Sequence, residues 1–284
     1  MLTVVPRISR KQLERSIGSP TMRRTTVLLI AVALVVAGCG GSTSHATGRA
    51  HTFRLDGQTD LLVTPTHATN KVVLYVHGAE QTAQTITADP THAKLATALL
   101  KAGYSIAGSD ASGLAWGNSA SMRDYERLIS YLHRRGFSRL YVLAESMGGF
   151  DGLQLLSHAH VAAWAALYPA CNLRSIYVNP PVRFGPRNKL VQFAPEIRTA
   201  YGRTLQAALA TKSPVALPHA LGGLPMVFWS SPHDQAVPKA SNTDVCAARA
   251  KQAGANVTVI TTSGNHADAS NFQPQALLAT FARG

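Results

Sequence analysis

Short runs rich in β-branched residues alternate with helical segments along most of this chain, and this alternation limits the folds open to it. The pattern predicts strands at 71–76, 104–108, 139–144, 161–167, 225–230 and 256–261, and helices at 91–102, 121–135, 148–157, 240–253 and 274–281. Apolar strands separated by helices predict an α/β fold, with a mostly parallel central sheet and helices on both of its faces. Ligands bind such sheets at the carboxyl ends of the strands, so chemistry is expected just after a strand.

Residues 172–222 interrupt the alternation. They contain six prolines, and fifty residues of this kind within a domain spanning 52–284 predict a functional, cap-like insertion. The segment also carries seven cations and one acid, Glu196. These cations are either solvated surface or part of a cap over Ser146 that attracts an anionic substrate or the anionic envelope. The seven are Arg174, Arg183, Arg187, Lys189, Arg198, Arg203 and Lys212.

Ser146 stands between a predicted strand and a predicted helix, in the segment Ala144-Glu145-Ser146-Met147-Gly148. A nucleophile at the apex of such a sharp turn needs small residues two positions before and after it, and Ala144 and Gly148 satisfy this. The plain alternative is a serine that caps the helix. We interpret Ser146 as the candidate nucleophile, with Glu145 orienting the chain beneath the turn.

Two side chains that could activate this serine follow later strands. A serine hydroxyl needs a neighbouring base, and the base needs an acid that holds its tautomer. His266 follows the last predicted strand and Asp234 follows the one before it, so both belong to the same rim as Ser146. The competing side chains are His233 for the base, and Asp110 and Asp151 for the acid.

An oxyanion formed at this serine needs main-chain donors. The N–H of Met147 is one candidate, because it begins the helix after the nucleophile. The second is the N–H of Ala79, in the turn His77-Gly78-Ala79 that ends the strand 71–76. Gly78 allows close approach, and His77 is expected to order the turn beside the substrate. Trp116 is either a core residue or a wall of the substrate pocket.

These motifs together resemble the α/β-hydrolase superfamily: a His-Gly turn, a small-x-Ser-x-Gly elbow, an Asp followed by Val-Pro, and a late Gly-x-His. The resemblance covers roughly residues 59–283. It implies the α/β-hydrolase fold, a Ser–His–Asp triad and an acyl-enzyme, with neither metal nor organic cofactor. Ala144 replaces the usual glycine. The turn His-Gly-Ala-Glu also differs from the multi-glycine turn of some esterases, which disfavours bulky tertiary-alcohol esters.

The N-terminus has the features of an export signal. Arg23-Arg24 precede an unbroken apolar run at 27–37, which is too short to span a bilayer. The following Val36-Ala37-Gly38-Cys39 resembles a bacterial lipobox, which predicts lipidation of Cys39 after removal of residues 1–38. Residues 1–21 are either an over-called start or an extended n-region. Residues 39–51 then form a Gly/Ser-rich tether to a cell membrane outside the cytoplasm.

Cysteine content and charge exclude several other classes. Three cysteines cannot form a disulfide framework, and the chain has no CxxC or HExxH motif to support a metal site. In an exported chain, Cys171 and Cys246 form either a disulfide or two buried thiols. The net charge of +13 lies largely in the N-terminal region and the insertion. No nucleic-acid recognition motif accompanies it, so nucleic-acid binding is not predicted.

The sequence therefore predicts an exported, lipid-anchored serine hydrolase that cleaves carboxylic esters. The substrate is expected to be a small or lipid-like ester, with an anionic one favoured if the insertion is a charged cap. Two alternatives remain. One is a peptidase or acyltransferase that acts on envelope material, and the other is an envelope lipoprotein that keeps the fold but only binds a ligand.

Overall fold

The computed structural model describes residues 48–184 and 189–284, and an eight-stranded sheet forms its centre. A separate two-stranded sheet is formed by the seventh and eighth strands. The strands are β1 (Gly48–Leu55), β2 (Gln58–Pro65), β3 (Lys71–Val76), β4 (Ser105–Ser109), β5 (Arg139–Glu145), β6 (Val161–Leu167), β7 (Val182–Phe184), β8 (Lys189–Val191), β9 (Pro225–Ser230) and β10 (Asn256–Thr261).

The strand order of the central sheet is β1-β2-β4-β3-β5-β6-β9-β10. β2 pairs antiparallel with both β1 and β4. Every neighbouring pair from β4 to β10 is parallel, which confirms the predicted mostly parallel sheet. Parallel strands end at the same edge, so the loops after β3, β5, β9 and β10 lie along one rim.

The antiparallel edge of the sheet is a hairpin that the alternation of strands and helices did not reveal. β1 and β2 are joined by Asp56 and Gly57, both with positive φ (45° and 88°). An Asp-Gly pair favours this two-residue turn because its twist matches that of the flanking strands. Residues 48–51, which the sequence assigned to the tether, belong to β1.

Helices cover both faces of the sheet, as predicted. Alternate residues of β3 point to opposite faces, so Val72 shares a buried cluster with Leu128 on one side, and Val73 shares another with Leu99 on the other. The helices are α1 (Thr85–Ala88), α2 (His92–Lys101), α3 (Ser119–Arg134), α4 (Gly149–Gln154), α5 (Leu173–Val178), α6 (Ala194–Tyr201), α7 (Leu205–Thr211), α8 (Thr243–Gln252) and α9 (Pro274–Phe281).

The segment 172–222 contains the hairpin of β7 and β8 and the helices α5, α6 and α7. Each of these elements has only three to eight residues, too few to produce a readable period in the sequence. A disulfide joins Cys171, just before the insertion, to Cys246 in α8. The insertion is thus linked covalently to the helix that follows the loop of Asp234.

The signal peptide, the lipidation site Cys39 and most of the predicted tether fall in residues 1–47, outside the described part of the chain. Among the helices of residues 48–184 and 189–284, none combines the length and the apolar character needed to cross a bilayer.

Candidate active site

Ser146 occupies a sharp turn between β5 and α4. Its backbone has a positive φ of 48°, which is strained for a residue with a side chain and is typical of functional turns. A single 3-10 turn over Ser146–Gly148 leads into α4. A Cβ added to Gly148 would lie 2.2 Å from the carbonyl oxygen of Val76, so only glycine fits there. Contact with β3 therefore imposes the small residue that the sequence pattern required.

The structure brings Ser146, His266 and Asp234 into one hydrogen-bonded chain. Ser146 Oγ lies 2.9 Å from His266 Nε2, and His266 Nδ1 lies 2.8 Å from Asp234 Oδ2. Both His266 and Asp234 are buried. Because a carboxylate only accepts, Nδ1 carries the proton that faces it, which leaves Nε2 of the neutral ring to accept the serine hydroxyl.

The loops after β9 and β10 hold the acid and the imidazole in place. Asp234 Oδ1 accepts hydrogen bonds from the backbone N–H groups of Ala236 and Val237, both at 2.9 Å. The carboxylate thus presents its other oxygen to His266. On its other side the His266 ring packs edge-on against Tyr168, with the ring centroids 4.5 Å apart. These contacts orient the imidazole before any substrate arrives.

The turn after β3 lies against the serine. A Cβ on Gly78 would be 3.3 Å from the Cβ of Ser146, so glycine permits this approach. His77 Nδ1 lies 2.8 Å from the Gly78 carbonyl oxygen, and Nε2 lies 3.1 Å from a carbonyl of the loop after β4. The imidazole of His77 is therefore engaged with the main chain of the turn. Ala79 follows in this turn, and buried Met147 follows the serine.

A buried carboxylate directly precedes the serine and accepts several hydrogen bonds. Glu145 Oε1 lies 2.6 Å from both Tyr168 Oη and Gln81 Nε2. Glu145 Oε2 lies 2.7 Å from both Tyr75 Oη and His92 Nε2. This set of residues, which we call the Glu145 network, reaches β3, α2, the end of β6 and the loop after β3.

The Glu145 network contains a buried ion pair. His92 lies between two acids, with Nδ1 2.7 Å from Asp89 Oδ1 and Nε2 on Glu145. Burial opposes the charge of His92, but hydrogen bonds and charges from Glu145 and Asp89 outweigh it and raise the pKa of the imidazole. Burial likewise opposes ionisation of Glu145, yet the contacts from His92, Tyr168 and Gln81 lower the pKa of its carboxyl.

Sequence reasoning missed most of this network. His92 belongs to the same face of α2 as Leu95 and Leu99, so its position indicated a core residue. Gln81 lies in a loop that has no recognisable motif. Only the position of Glu145 beside the serine gave a signal.

Trp116 lies in the core, beneath the insertion. It is 2% exposed, and its ring packs edge-on against Phe150 and Phe193. Its carbonyl oxygen accepts a hydrogen bond from Tyr201 Oη at 2.7 Å. Of the two expectations for Trp116, the structure agrees with the core residue, since so little of the side chain is available to a ligand.

The insertion contacts loops on either side of the serine. Lys189 Nζ forms an exposed ion pair with Glu80 Oε1 at 3.0 Å, in the turn after β3. Asn179 Nδ2 donates to the carbonyl oxygen of Gln235 at 2.8 Å, in the loop that carries the acid. The insertion therefore bridges the two loops that flank the hydrogen-bonded chain.

The cations of the insertion have different surroundings. Arg183 is exposed on β7, whereas Arg187 lies outside the described residues. Arg198 Nε donates to Tyr177 Oη at 2.8 Å, and Lys212 is half-buried beside Gln154. Of the six described cations of the insertion, five are exposed and Lys212 is half-buried.

The competing side chains lie elsewhere or have other partners. His233 is exposed, and its N–H donates to a serine of its own loop. Asp110 Oδ1 accepts from the N–H of Ala83. Asp151 Oδ1 accepts from Ser121 Oγ at 2.7 Å. In residues 48–184 and 189–284, no group of three His, Cys, Asp or Glu side chains is arranged to hold a metal ion.

Comparison with known proteins identifies the fold. An esterase of the bacterial hormone-sensitive lipase family is 18% identical, with a TM-score of 0.59, over 84% of this chain and 82% of that chain. A putative esterase from Staphylococcus aureus is 14% identical, with a TM-score of 0.59, over 85% and 84%. A Mycobacterium tuberculosis puromycin-hydrolyzing peptidase is 14% identical, with a TM-score of 0.63, over 86% of this chain and 41% of that chain.

No family model and no curated protein matches the chain. The likeness to these solved structures, together with the sheet order, shows that the chain has the α/β-hydrolase fold. The fold expected from the sequence motifs is therefore confirmed.

Proposed function

We propose that this protein is a serine hydrolase that cleaves carboxylic esters through an acyl-enzyme. The observation that carries the proposal is the chain of hydrogen bonds from Ser146 through His266 to Asp234, on a strained turn at the carboxyl edge of the sheet. A serine held only as a helix cap has no need of a positive φ or of an oriented, buried imidazole.

The first half of the reaction forms the acyl-enzyme. Ser146 Oγ attacks the ester carbonyl carbon while His266 Nε2 takes its proton, and Asp234 stabilises the imidazolium that results. The N–H groups of Ala79 and Met147 hold the oxyanion of the tetrahedral intermediate. When this intermediate collapses, the carbon–oxygen bond to the alcohol breaks and His266 returns the proton to the leaving alcohol.

The second half restores the enzyme. His266 deprotonates a water molecule, which attacks the acyl carbon, and the same two N–H groups hold the second oxyanion. Collapse then releases the carboxylic acid, and the proton returns from His266 to Ser146. No step in this cycle requires a metal or an organic cofactor.

Two other functions remain as alternatives. The solved structures with this fold include a peptidase as well as esterases, and a peptidase or an acyltransferase on envelope material would use the same three side chains. A lipoprotein that only binds a ligand would keep the fold without turnover. The strain at Ser146 favours an enzyme over a binding protein.

Labelling with a fluorophosphonate tests the proposal, since this probe forms a bond only with an activated serine. We expect wild type to be labelled and Ser146→Ala to remain unlabelled. In a separate ester-hydrolysis assay, Asp234→Asn should lose about 10⁴-fold in kcat. Ser157→Ala is the matched control, because Ser157 is exposed after α4. Absence of labelling in wild type would contradict the proposal and favour the binding protein.

A substrate series separates the enzymatic alternatives. The series should pair p-nitrophenyl esters of graded acyl length with aminoacyl arylamides at matched concentration. Ester hydrolysis that exceeds arylamide hydrolysis supports the esterase, and the reverse order supports a peptidase.

We further propose that the insertion favours anionic esters. Lys189 pairs with Glu80 in the turn after β3, so this cation of the insertion lies beside the turn that carries the proposed oxyanion donor, the N–H of Ala79. Reversing the charges of Arg183, Arg187 and Lys189 should lower kcat/KM for anionic esters at low salt, with less effect on neutral ones. An unchanged kcat/KM across a salt series would rule this out.

Export and lipid anchoring through Cys39 belong to the same proposal. A diacylated cysteine supplies two chains, which is enough for stable membrane binding. We expect wild type to incorporate labelled palmitate and to fractionate with membranes, and Cys39→Ala to do neither. Palmitate incorporation that survives this substitution would contradict the proposal.

A further inference from the structure

The side chain of Gln81 makes hydrogen bonds both to Glu145 and to the turn His77-Gly78-Ala79, which carries one proposed oxyanion donor and which we call the oxyanion turn. Its Oε1 accepts the backbone N–H of Gly78 at 2.7 Å, and its Nε2 donates to Glu145 Oε1 at 2.6 Å. These partners settle the amide orientation, since the reverse would place NH₂ against an N–H and oxygen against a carboxylate. One half-buried side chain thus joins the turn to a fully buried carboxylate.

The hydrogen bonds of Gly78 set the direction of the next peptide. The Gly78 carbonyl oxygen accepts from the N–H of Gln81 at 3.3 Å and lies 2.8 Å from His77 Nδ1. In a planar trans peptide the C=O and N–H point in opposite directions. Holding this carbonyl on the side of Gln81 therefore aims the N–H of Ala79 the opposite way. That N–H is one of the two donors proposed for the oxyanion.

Glu145 is a rigid attachment point for Gln81. The carboxylate is 1% exposed, and its contacts with His92, Tyr75 and Tyr168 come from three separate elements. A buried carboxylate held on several sides cannot move without losing hydrogen bonds that water does not replace. Tyr168 also packs on the ring of His266. The same carboxylate is thus connected to the nucleophile, the base and the oxyanion turn.

We propose that Gln81 is a positioning residue: its side chain, fixed by the hydrogen bond to Glu145, holds the N–H of Gly78 and so keeps the turn in the conformation that presents the next N–H, that of Ala79, to the oxyanion. This inference rests on the proposed hydrolase function. The oxyanion has its full charge only in the tetrahedral intermediate, so the contribution of Gln81 is to kcat rather than to substrate binding.

Gln81→Met tests the proposal, because it keeps the length of the side chain and removes its three hydrogen bonds, to Gly78, Glu145 and Tyr75 Oη. Loss of one oxyanion donor costs about 10²–10³-fold in kcat, so a misplaced donor should cost roughly 10–100-fold. KM for a p-nitrophenyl ester should change less than about threefold. The pH midpoint of kcat/KM should stay at the wild-type value, since His266 and Asp234 keep their contacts. Gln84→Met is the matched control, a half-buried glutamine on the same loop that should retain wild-type kcat.

Gln81→Glu supplies a readout that a merely structural role would not change. A protonated glutamic acid can still donate to Glu145 and accept from Gly78, whereas the ionised form would repel Glu145. The neighbouring carboxylate raises the pKa of the introduced acid, so the protonated form persists over a wider pH range. We therefore expect the ratio of variant to wild-type kcat to be near one at low pH and to fall as pH rises. Gln84→Glu should show a flat ratio.

The outcomes separate this inference from the function on which it rests. Wild type that takes no fluorophosphonate label refutes both. Labelled wild type together with full kcat in Gln81→Met refutes the positioning role alone. The role is also refuted if Gln81→Met and Gln84→Met lower kcat equally, or if the ratio for Gln81→Glu does not vary with pH. A lowered kcat at constant KM with the pH-dependent ratio supports it.

Discussion

Removal of the disulfide between Cys171 and Cys246 should cost a large part of the stability of this domain. The bond closes a loop with a sequence separation of 75, which includes the whole insertion and the loop of Asp234. The chain-entropy relation gives about 4 kcal/mol for a loop of this length, because the open unfolded chain gains freedom that the folded chain lacks. Each kcal/mol corresponds to roughly 2–4 °C in a domain of this size, so Tm should fall by about 10 °C.

The measurement is urea unfolding of Cys171→Ala/Cys246→Ala beside oxidised wild type, followed by the fluorescence of the buried tryptophans. Alanine is preferred to serine because both sulfurs are buried and a hydroxyl there would need a partner. The control is wild type reduced with dithiothreitol and then unfolded in urea. Its free energy of unfolding should match that of the double variant within about 1 kcal/mol. A double variant that loses less than 1 kcal/mol from oxidised wild type would refute this reasoning.

Two further substitutions test the packing around the serine. Burial raises the pKa of Asp151 to about 7 despite its bond from Ser121, so the folded protein holds this proton more tightly than the unfolded one. The folded form therefore loses stability as pH rises from about 4 to 7. Across that window, the free energy of unfolding of Asp151→Asn, measured by urea titration, should rise relative to wild type by up to about 4 kcal/mol. A difference between the two proteins that does not vary with pH would contradict this. Gly148→Ala should destabilise the protein by several kcal/mol, because its Cβ would meet the Val76 carbonyl oxygen, whereas Gly108→Ala, whose nearest contacts are 3.4 Å, should cost much less.

The positions of the strands were predictable because their signal is local. The runs 161–167 and 225–230 coincide with β6 and β9, since buried parallel strands are apolar along their whole length. The run 256–261 coincides with β10, an edge strand whose β-branched residues supplied the signal. The edge hairpin was not predicted because β1 is largely exposed and lacks such a run. The elements of the insertion escaped because they are too short to show a period.

Part of the candidate site was also predictable, because its residues stand at the ends of strands whose signal is local. Ser146, Asp234 and His266 each follow a strand that the sequence revealed, and parallel strands bring those ends to one rim. Their assignment as a catalytic triad stays a prediction until the labelling is done. Trp116 could not be assigned from the sequence, because burial and pocket lining have the same local pattern.

By itself, the sequence determined the order of strands and helices and the side chains that stand at the strand ends, because periodicity and turn residues act over a few positions. Only the tertiary structure decided the partners of Glu145. His92 and Gln81 are 53 and 64 positions away from it, and no local pattern links them. A buried carboxylate must find its donors wherever the fold brings them, so the distances that matter are measured in space and not along the chain.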